Sequence, residues 1–250
     1  MFFTTINNLR IAYRKIGVGK KKIIVLHGWG IDSNYFIPLA EQLADEFEIY
    51  IPDLPGFGQS DQPLKLWTLD DYVDFVLRFV KSQRIEKFYL FGHSFGGRIA
   101  IKLAANLPTD LLEKLILCGA AGIKEPLNAR QKIAKALALI GKGIPFTKNK
   151  LFKKILYKIA GQQDYFRATP QMKEILKKVI QEDLTSELPK IKFPTLLIWG
   201  REDVFTPLWQ GKKMARLIPN SKLKIISGGH NIYRIYPKEV GEIIKQNIEK

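Results

Sequence analysis

The chain has 250 residues, and its content of 46% hydrophobic and 26% charged residues is sufficient for a full core, which excludes a mostly disordered protein. Its 40 Lys and Arg residues against 24 Asp and Glu residues give a formal net charge of +16. Charge spread along a chain is usually solvated, so we predict no nucleic-acid partner. A single cysteine, Cys118, excludes an internal disulfide, and with only three histidines we predict no metal site.

Apolar periodicity predicts an alternation of strands and helices along the first half of the chain. The predicted strands are residues 4–6, 9–15, 23–26, 48–52 and 88–91. The predicted helices are residues 33–46, a segment that Thr68 caps, and residues 95–106. Asn7 and Asn8 tolerate positive φ, so the first two strands should form a hairpin.

The alternation continues in the second half of the chain. The predicted strands there are residues 115–118, 195–199 and 222–226, and the predicted helices are residues 207–217 and 237–248. Strands that alternate with helices form a mostly parallel sheet with helices on both faces. The predicted fold class is therefore α/β.

The region of residues 122–187 contains no strand-like run. Its amphipathic helical segments are residues 133–140, 151–159 and 175–180, with Gly and Pro between them. We therefore predict a core formed by residues 1–121 and 188–250, with residues 122–187 inserted as a helical cap. The cap has 14 basic and six acidic residues, so it carries about half of the net charge.

A possible nucleophile lies in Gly92-His93-Ser94-Phe95-Gly96, which matches G-x-S-x-G between a predicted strand and a predicted helix. In that position the motif forms a nucleophile elbow, a sharp turn that holds the serine in a strained backbone conformation with its hydroxyl exposed. The N–H groups at the start of the helix point toward any anion that forms near the serine. Ser94 is the predicted nucleophile.

A serine hydroxyl needs a base to become a nucleophile at neutral pH. The side chain of His93 should diverge from that of Ser94, and His27 is better placed to brace the loop that follows it. His230 lies in the glycine turn Ser227-Gly-Gly-His230 after the last predicted strand, so its imidazole can lean over the sheet edge. His230 is the predicted base.

The base in turn needs a carboxylate that fixes its tautomer and stabilises the imidazolium. The loop after residues 115–118 contains no acid, whereas the loop after residues 195–199 contains Glu202 and Asp203. We predict Asp203 as the partner of the base and keep Glu202 as an alternative.

The oxyanion that develops at an acyl carbon needs N–H donors. One predicted donor is the backbone N–H of Phe95, which follows the nucleophile, and the other is the backbone N–H of Trp29. Gly28 and Gly30 flank Trp29 and let this loop approach a substrate closely. The indole of Trp29 either lines the pocket or packs in the core.

Five motifs together resemble the α/β-hydrolase fold superfamily over nearly the whole chain. They are His27-Gly-Trp-Gly30, Asp53-Leu-Pro-Gly-Phe-Gly-Gln-Ser60, Gly92-His-Ser-Phe-Gly-Gly97, Trp199-Gly-Arg-Glu-Asp203 and Gly228-Gly-His230. The resemblance implies an eight-stranded sheet with one antiparallel strand, a helical cap and no cofactor, and it implies a structural role for the loop of residues 53–60. The chain order of Ser94, Asp203 and His230 is that of these hydrolases.

Within the superfamily, Ser rather than Asp at position 94 is unlike the epoxide hydrolase and haloalkane dehalogenase branches. The motifs at residues 27–30 and 53–58 are similar to those of the pimeloyl-acyl-carrier-protein methyl ester esterases. That family acts on an acidic carrier protein, which the basic cap of this chain would suit.

The predicted activity is hydrolysis of carboxylic esters with short to medium acyl chains through an acyl-enzyme. One alternative is a different bond for the same triad: a lactone, a carrier-protein ester or thioester, or a carbon–carbon bond. For an acidic substrate of the last kind, Arg98, Arg130 and Arg167 are available. Another alternative is a ligand-binding receptor built on the same scaffold.

The apolar runs are all far shorter than the roughly 20 residues of a membrane span. The first residues lack the basic and apolar regions of a secretory signal, so we expect a cytoplasmic protein. The basic amphipathic segment of residues 151–159 could contact a membrane surface, but Leu and Ile at its spacing more often face a pocket. We expect no stable membrane insertion, and a monomer or a homodimer.

Overall fold

Eight strands form a single, mostly parallel sheet in the computed structural model, which describes residues 1–108, 111–124 and 169–248. The strands are β1 (Phe2–Ile6), β2 (Leu9–Ile16), β3 (Lys21–Leu26), β4 (Phe47–Pro52), β5 (Phe88–His93), β6 (Leu112–Cys118), β7 (Thr195–Gly200) and β8 (Ser221–Ile226). Their order across the sheet is β1-β2-β4-β3-β5-β6-β7-β8. β2 pairs antiparallel with both β1 and β4 and the other pairs are parallel, so β2 alone runs opposite to the rest, which confirms the predicted sheet.

The described α-helices are α1 (Ile37–Leu43), α2 (Leu69–Ser82), α3 (Phe95–Asn106), α4 (Pro170–Gln181), α5 (Leu208–Leu217), α6 (Ile232–Ile235) and α7 (Pro237–Lys245). The predicted cap of α2 is confirmed, because the Thr68 side chain accepts a hydrogen bond from the Asp71 N–H. None of the helices in the described part of the chain is both long and apolar enough to cross a bilayer.

Two predicted helices are shorter than their periodicity suggests. The predicted helix of residues 33–46 starts as a 3-10 turn and becomes α-helical only at Ile37. It ends at Leu43, and the carbonyls that follow are satisfied from outside the helix: Ala44 accepts from the Val18 N–H and Glu46 from the Lys21 N–H. The last helix ends at Lys245 rather than at residue 248.

The core has one apolar layer on each face of the sheet, because successive residues of a strand point to opposite faces. Ile24 and Leu26 of β3 pack in one layer with residues of α2, α3, α4 and α5. Ile23 and Val25 pack in the other layer with residues of α1, α6 and α7. Both layers are apolar, as expected for strands buried on two faces.

Most of the predicted cap, including the predicted helices at residues 133–140 and 151–159, lies outside the described residues. The third predicted helix, residues 175–180, lies within α4. Met172 and Ile175 of α4 pack in the same apolar layer as α3. The Leu184 N–H also donates to the Gly122 carbonyl at 2.9 Å, which joins the two ends of the predicted insertion. This part of the region is packed on the core.

The parallel strands bring five loops to one edge of the sheet. These loops follow β3, β5, β6, β7 and β8; they contain four of the predicted site residues, and the fifth, Phe95, is the first residue of α3. Carboxyl ends of parallel strands form the usual ligand-binding edge of open α/β sheets.

Gly96 lies where α3 approaches the end of β3 most closely. A Cβ at this position would be 2.1 Å from the Leu26 carbonyl oxygen and 2.7 Å from that of His27. We therefore expect Gly96→Ala to lower the free energy of unfolding by about 1–3 kcal/mol, as overpacking does elsewhere, in urea denaturation. Gly229→Ala is the control, because the nearest atom to its new Cβ is 4.0 Å away. Equal losses in the two variants would contradict this account.

Candidate active site

Ser94 joins β5 to α3 in a strained backbone conformation. Its φ is 51° and its ψ is −111°, which a residue with a Cβ rarely adopts. A Cβ on Gly92 would lie 2.7 Å from the Gly96 carbonyl oxygen, so the turn also requires glycine before the serine. The strained turn predicted at Ser94 is confirmed, but the predicted exposure is not, since only 7% of the residue is exposed.

His230 follows β8 and pairs with Asp203, which follows β7. Its Nδ1 lies 2.8 Å from the Asp203 Oδ2. The Asp203 side chain is fully buried, and that of His230 is 11% exposed. Because a carboxylate only accepts, Nδ1 carries the shared proton, and this assignment leaves the lone pair of a neutral imidazole on Nε2.

His93 packs against His230 and is hydrogen-bonded to the end of β6. Its ring centroid lies 4.6 Å from that of His230, and its Nδ1 lies 2.9 Å from the Cys118 carbonyl oxygen. His230 therefore lies over the residue that precedes Ser94. The Ser94 hydroxyl and the His230 ring are not joined by a hydrogen bond, and such bonds often tighten only when substrate binds.

Trp29 and Phe95 also lie together. Their rings meet edge to face with centroids 5.2 Å apart. The Gly96 N–H donates to the His27 carbonyl at 3.0 Å, which ties the loop after β3 to the first turn of α3. Within the described residues, neither the Trp29 N–H nor the Phe95 N–H donates a hydrogen bond to the protein. Neither N–H group is thus used by the described part of the protein.

The indole of Trp29 belongs to the core rather than to an open pocket wall. It is 5% exposed and packs between Phe95 and Phe57, whose ring centroid is 4.8 Å from its own. Of the two roles that the sequence left open for this side chain, the packing role is the one that the structure favours.

His27 braces the loop after β3, as predicted. Its Nδ1 is 2.7 Å from the Gly28 carbonyl oxygen, and its Nε2 accepts from the Leu54 N–H at 2.8 Å. Asp53 fixes the neighbouring loop, because its carboxylate accepts from the Ser33 and Gln59 N–H groups. These contacts agree with the structural role expected for residues 53–60.

Glu202, the alternative acid, is hydrogen-bonded to the loop that carries His230 and not to the His230 side chain. Its carboxylate accepts from the Gly228 N–H, and its own N–H donates to the Gly228 carbonyl at 3.0 Å. Of the two adjacent acids, only Asp203 is hydrogen-bonded to His230.

Arg98 is buried, and its guanidinium donates to the backbone carbonyl of Glu182. Burial lowers the pKa of this arginine to about 10. The side chain therefore ties α3 to the segment after α4 and is not an open anion-binding group. The other two arginines of the sequence hypothesis, Arg130 and Arg167, lie outside the described residues.

Two residues that the sequence analysis did not single out contact the Asp203–His230 pair. Phe205 lies with its ring centroid 5.1 Å from that of His230. Thr206 places its hydroxyl 2.8 Å from the Asp203 Oδ2 and 3.3 Å from the His230 Nδ1. Their only sequence signal is a position two or three residues after the acid.

No group of three or more His, Cys, Asp or Glu residues that could hold a metal occurs in the described ranges.

Comparison with known families agrees with this architecture. Residues 21–149, more than half of the chain, match the profile of the family described as the alpha/beta hydrolase fold. The chain therefore belongs to the α/β hydrolase fold family.

Its relatives include hydrolases of different substrates. A pimeloyl-[acyl-carrier protein] methyl ester esterase of Shewanella woodyi is 29% identical over 226 residues, 82% of this chain and 82% of that protein. A 2-hydroxy-6-oxononadienedioate/2-hydroxy-6-oxononatrienedioate hydrolase of Escherichia coli is 28% identical over 244 residues, 87% of this chain and 83% of that protein. The structure of a thermophilic esterase from Thermogutta terrifontis aligns with a TM-score of 0.75 and 25% identity, covering 99% of this chain and 96% of that chain. These similarities support a hydrolase without selecting its substrate.

The two buried histidines, His27 and His93, should make the stability of the folded protein depend on pH. Burial lowers the pKa of His27 and the pKa of His93, so both are neutral in the folded protein. Below about pH 6.5 the unfolded chain takes up protons that the folded chain does not. We expect the free energy of unfolding to fall by up to about 1.4 kcal/mol per pH unit for each histidine as the pH drops from 6.5, measured by urea denaturation at pH 7.5 and 5.5.

His93→Asn is the control for this prediction, because asparagine does not titrate but keeps a donor for the Cys118 carbonyl. The variant should lose less stability than the wild type between pH 7.5 and 5.5. The same loss in both proteins would show that His93 does not contribute to the pH dependence.

Proposed function

We propose that this protein is a serine carboxylic-ester hydrolase that acts through Ser94, His230 and Asp203. The observation that carries the proposal is the strained Ser94, with a φ of 51°, whose preceding residue His93 contacts a histidine that is hydrogen-bonded to a buried carboxylate. Such strain costs about 1–3 kcal/mol and is found mainly at functional sites. A serine that served only to turn the chain would be better replaced by glycine.

The proposed reaction needs only groups of this chain and water. Nε2 of His230 takes the hydroxyl proton of Ser94 while Oγ attacks the ester carbonyl carbon. The carbonyl oxygen becomes an oxyanion that accepts from the Trp29 and Phe95 N–H groups. The bond to the alcohol then breaks, and the alcohol leaves with the proton from His230. Asp203 remains ionised and holds the Nδ1 proton throughout.

The second half of the reaction repeats this chemistry with water. His230 removes a proton from water, which attacks the acyl carbon bound to Ser94 Oγ. The acid product leaves and Ser94 recovers its proton. Because the same imidazole is the base in both halves, activity should fall at low pH as His230 becomes protonated.

Ester hydrolysis is the bond specificity that we favour. One relative is named as a methyl ester esterase and a solved neighbour as an esterase. A carbon–carbon hydrolase for an acidic substrate is less well supported, since Arg98 is engaged by the Glu182 carbonyl. The preference for short to medium acyl chains, the acidic carrier-protein partner, the cytoplasmic location and the monomeric or homodimeric state remain predictions from the sequence.

The test of the proposed function is hydrolysis of p-nitrophenyl esters of increasing acyl length by the wild type and by Ser94→Ala. We expect turnover by the wild type, and a loss of at least about 10³-fold in kcat/KM in the variant because the nucleophile is removed. Ser82→Ala is the control, since the Ser82 hydroxyl donates to the Phe79 carbonyl in α2 and accepts from the Gln83 side chain, and none of these groups belongs to the proposed site.

Three outcomes would redirect this proposal. Turnover that survives in Ser94→Ala would exclude this serine as the nucleophile. A folded wild type that hydrolyses a methyl ester only when its acyl group is attached to an acidic carrier protein would favour the carrier-protein alternative. Acylation of the protein without further turnover would favour the alternative of a ligand-binding receptor on the same scaffold.

The choice between the two adjacent acids is tested by Asp203→Asn and Glu202→Gln. We expect Asp203→Asn to lower kcat by about 10³–10⁴-fold, because an amide does not hold the required tautomer or stabilise the imidazolium. Glu202→Gln should lower kcat by less than about 10-fold, because Glu202 contacts only the loop that carries His230. A larger loss in Glu202→Gln than in Asp203→Asn would reverse the assignment.

A further inference from the structure

Thr206 is a buried residue at the start of the turn into α5, and its hydroxyl lies among three polar atoms. Its Oγ1 is 2.8 Å from the Asp203 Oδ2, 3.0 Å from the Gly119 carbonyl oxygen and 3.3 Å from the His230 Nδ1. Only 5% of the residue is exposed. The hydroxyl is therefore enclosed by the loops that follow β6, β7 and β8.

Asp203 has a complete set of donors, and Thr206 supplies half of them. Oδ1 accepts from the N–H groups of Phe205 and Thr206 at 2.8 and 2.9 Å. Oδ2 accepts from the His230 ring and from the Thr206 hydroxyl, both at 2.8 Å. A carboxylate has about four acceptor sites, so each one is used.

The single proton of the Thr206 hydroxyl has two possible acceptors, Asp203 and the Gly119 carbonyl. A hydrogen bond to an ionised carboxylate is shorter and stronger than one to a neutral carbonyl. The shorter distance, 2.8 Å against 3.0 Å, agrees with donation to Asp203. The hydroxyl thus donates to the same oxygen that accepts from His230.

We propose that Thr206 is a positioning residue of the Ser94–His230–Asp203 site, which fixes the Asp203 carboxylate and limits how tightly His230 holds its proton. The effect on turnover rests on the proposed function, but the hydrogen bonds do not. A second donor on Oδ2 disperses the negative charge that would otherwise act on the imidazolium alone. It also prevents rotation of the carboxylate away from the plane of the imidazole.

Asp203 is the charged group that directly contacts His230. The other groups that the structure describes around His230 are either neutral or bound elsewhere. His93 faces the ring from β5, and burial lowers the pKa of His93, so it is neutral. Cys118 at the end of β6 is a neutral thiol, because burial raises its pKa. Glu202 is bound to the Gly228 N–H on the loop of His230 itself. A change at Thr206 therefore acts on His230 through Asp203.

Thr206→Val removes the hydroxyl and nearly conserves the volume. With one donor fewer on Oδ2, Asp203 should stabilise the imidazolium more strongly, so the acidic midpoint of the pH–rate profile should move up by about 0.5 pH unit. We expect kcat on the plateau to fall about 3–10-fold with KM within about twofold, because the carboxylate is no longer fixed in the plane of the imidazole and the loss of orientation affects the transition state rather than substrate binding. Thr206→Ser should restore both values.

The control is Thr195→Val. Thr195 is also buried, and its hydroxyl also donates to a backbone carbonyl, that of Phe193 at 3.0 Å, but it lies at the opposite end of β7. It measures the general effect of a lost buried hydroxyl. Thr206→Ala replaces Thr206→Val if the latter does not fold.

The midpoint is measured in two ways, by ester hydrolysis and by NMR titration of the His230 ring protons, which needs no turnover. A rise in both Thr206→Val measurements, its reversal by serine and no change in Thr195→Val would support the inference. An unchanged midpoint, or an equal shift in Thr195→Val, would overturn it. A shift by NMR in a protein without esterase turnover would support the role of Thr206 while the proposed function fails.

Discussion

The close approach of α3 to the end of β3 is the contact on which the rest of the site depends. β3 and β5 are adjacent parallel strands with Leu26 opposite Gly92, so the loops that follow them meet. The Gly96 N–H donates to the His27 carbonyl there, with no space for a side chain on Gly96. This contact brings the loop that carries Trp29 against the turn that carries Ser94 and Phe95. Strain of the kind found at Ser94 persists only where the surrounding structure over-determines it.

A buried carboxylate imposes the second constraint. An ion without water must have its acceptor sites filled by the protein. Asp203 meets this requirement with the turn that follows it and with one imidazole from another loop. Burial acts differently on the other two histidines, which have carbonyl partners and are held neutral. The three histidines of the chain therefore have different environments, and only His230 combines a carboxylate with partial exposure.

Much of the fold could be predicted because the buried strands are continuous apolar runs and the helices repeat with helical period. The errors lie where other forces decide the end of an element. The helix predicted for residues 33–46 ends at Leu43, where the Ala44 and Glu46 carbonyls accept from the N–H groups of Val18 and Lys21 instead of from a further helical turn. The four-residue α6 was not predicted, since one turn is too short to show a period.

The sequence by itself determined the elbow around Ser94, the candidate base and the pair of acids from which its partner comes, because these depend on residue types within short motifs. Only the tertiary structure decided that Asp203 and not Glu202 is bonded to His230, that the Trp29 indole packs in the core, that Arg98 is tied to Glu182, and that Thr206 reaches the pair. The reason is physical: these contacts join loops far apart in the chain, and their geometry depends on strand register and burial. A local motif carries no information about either.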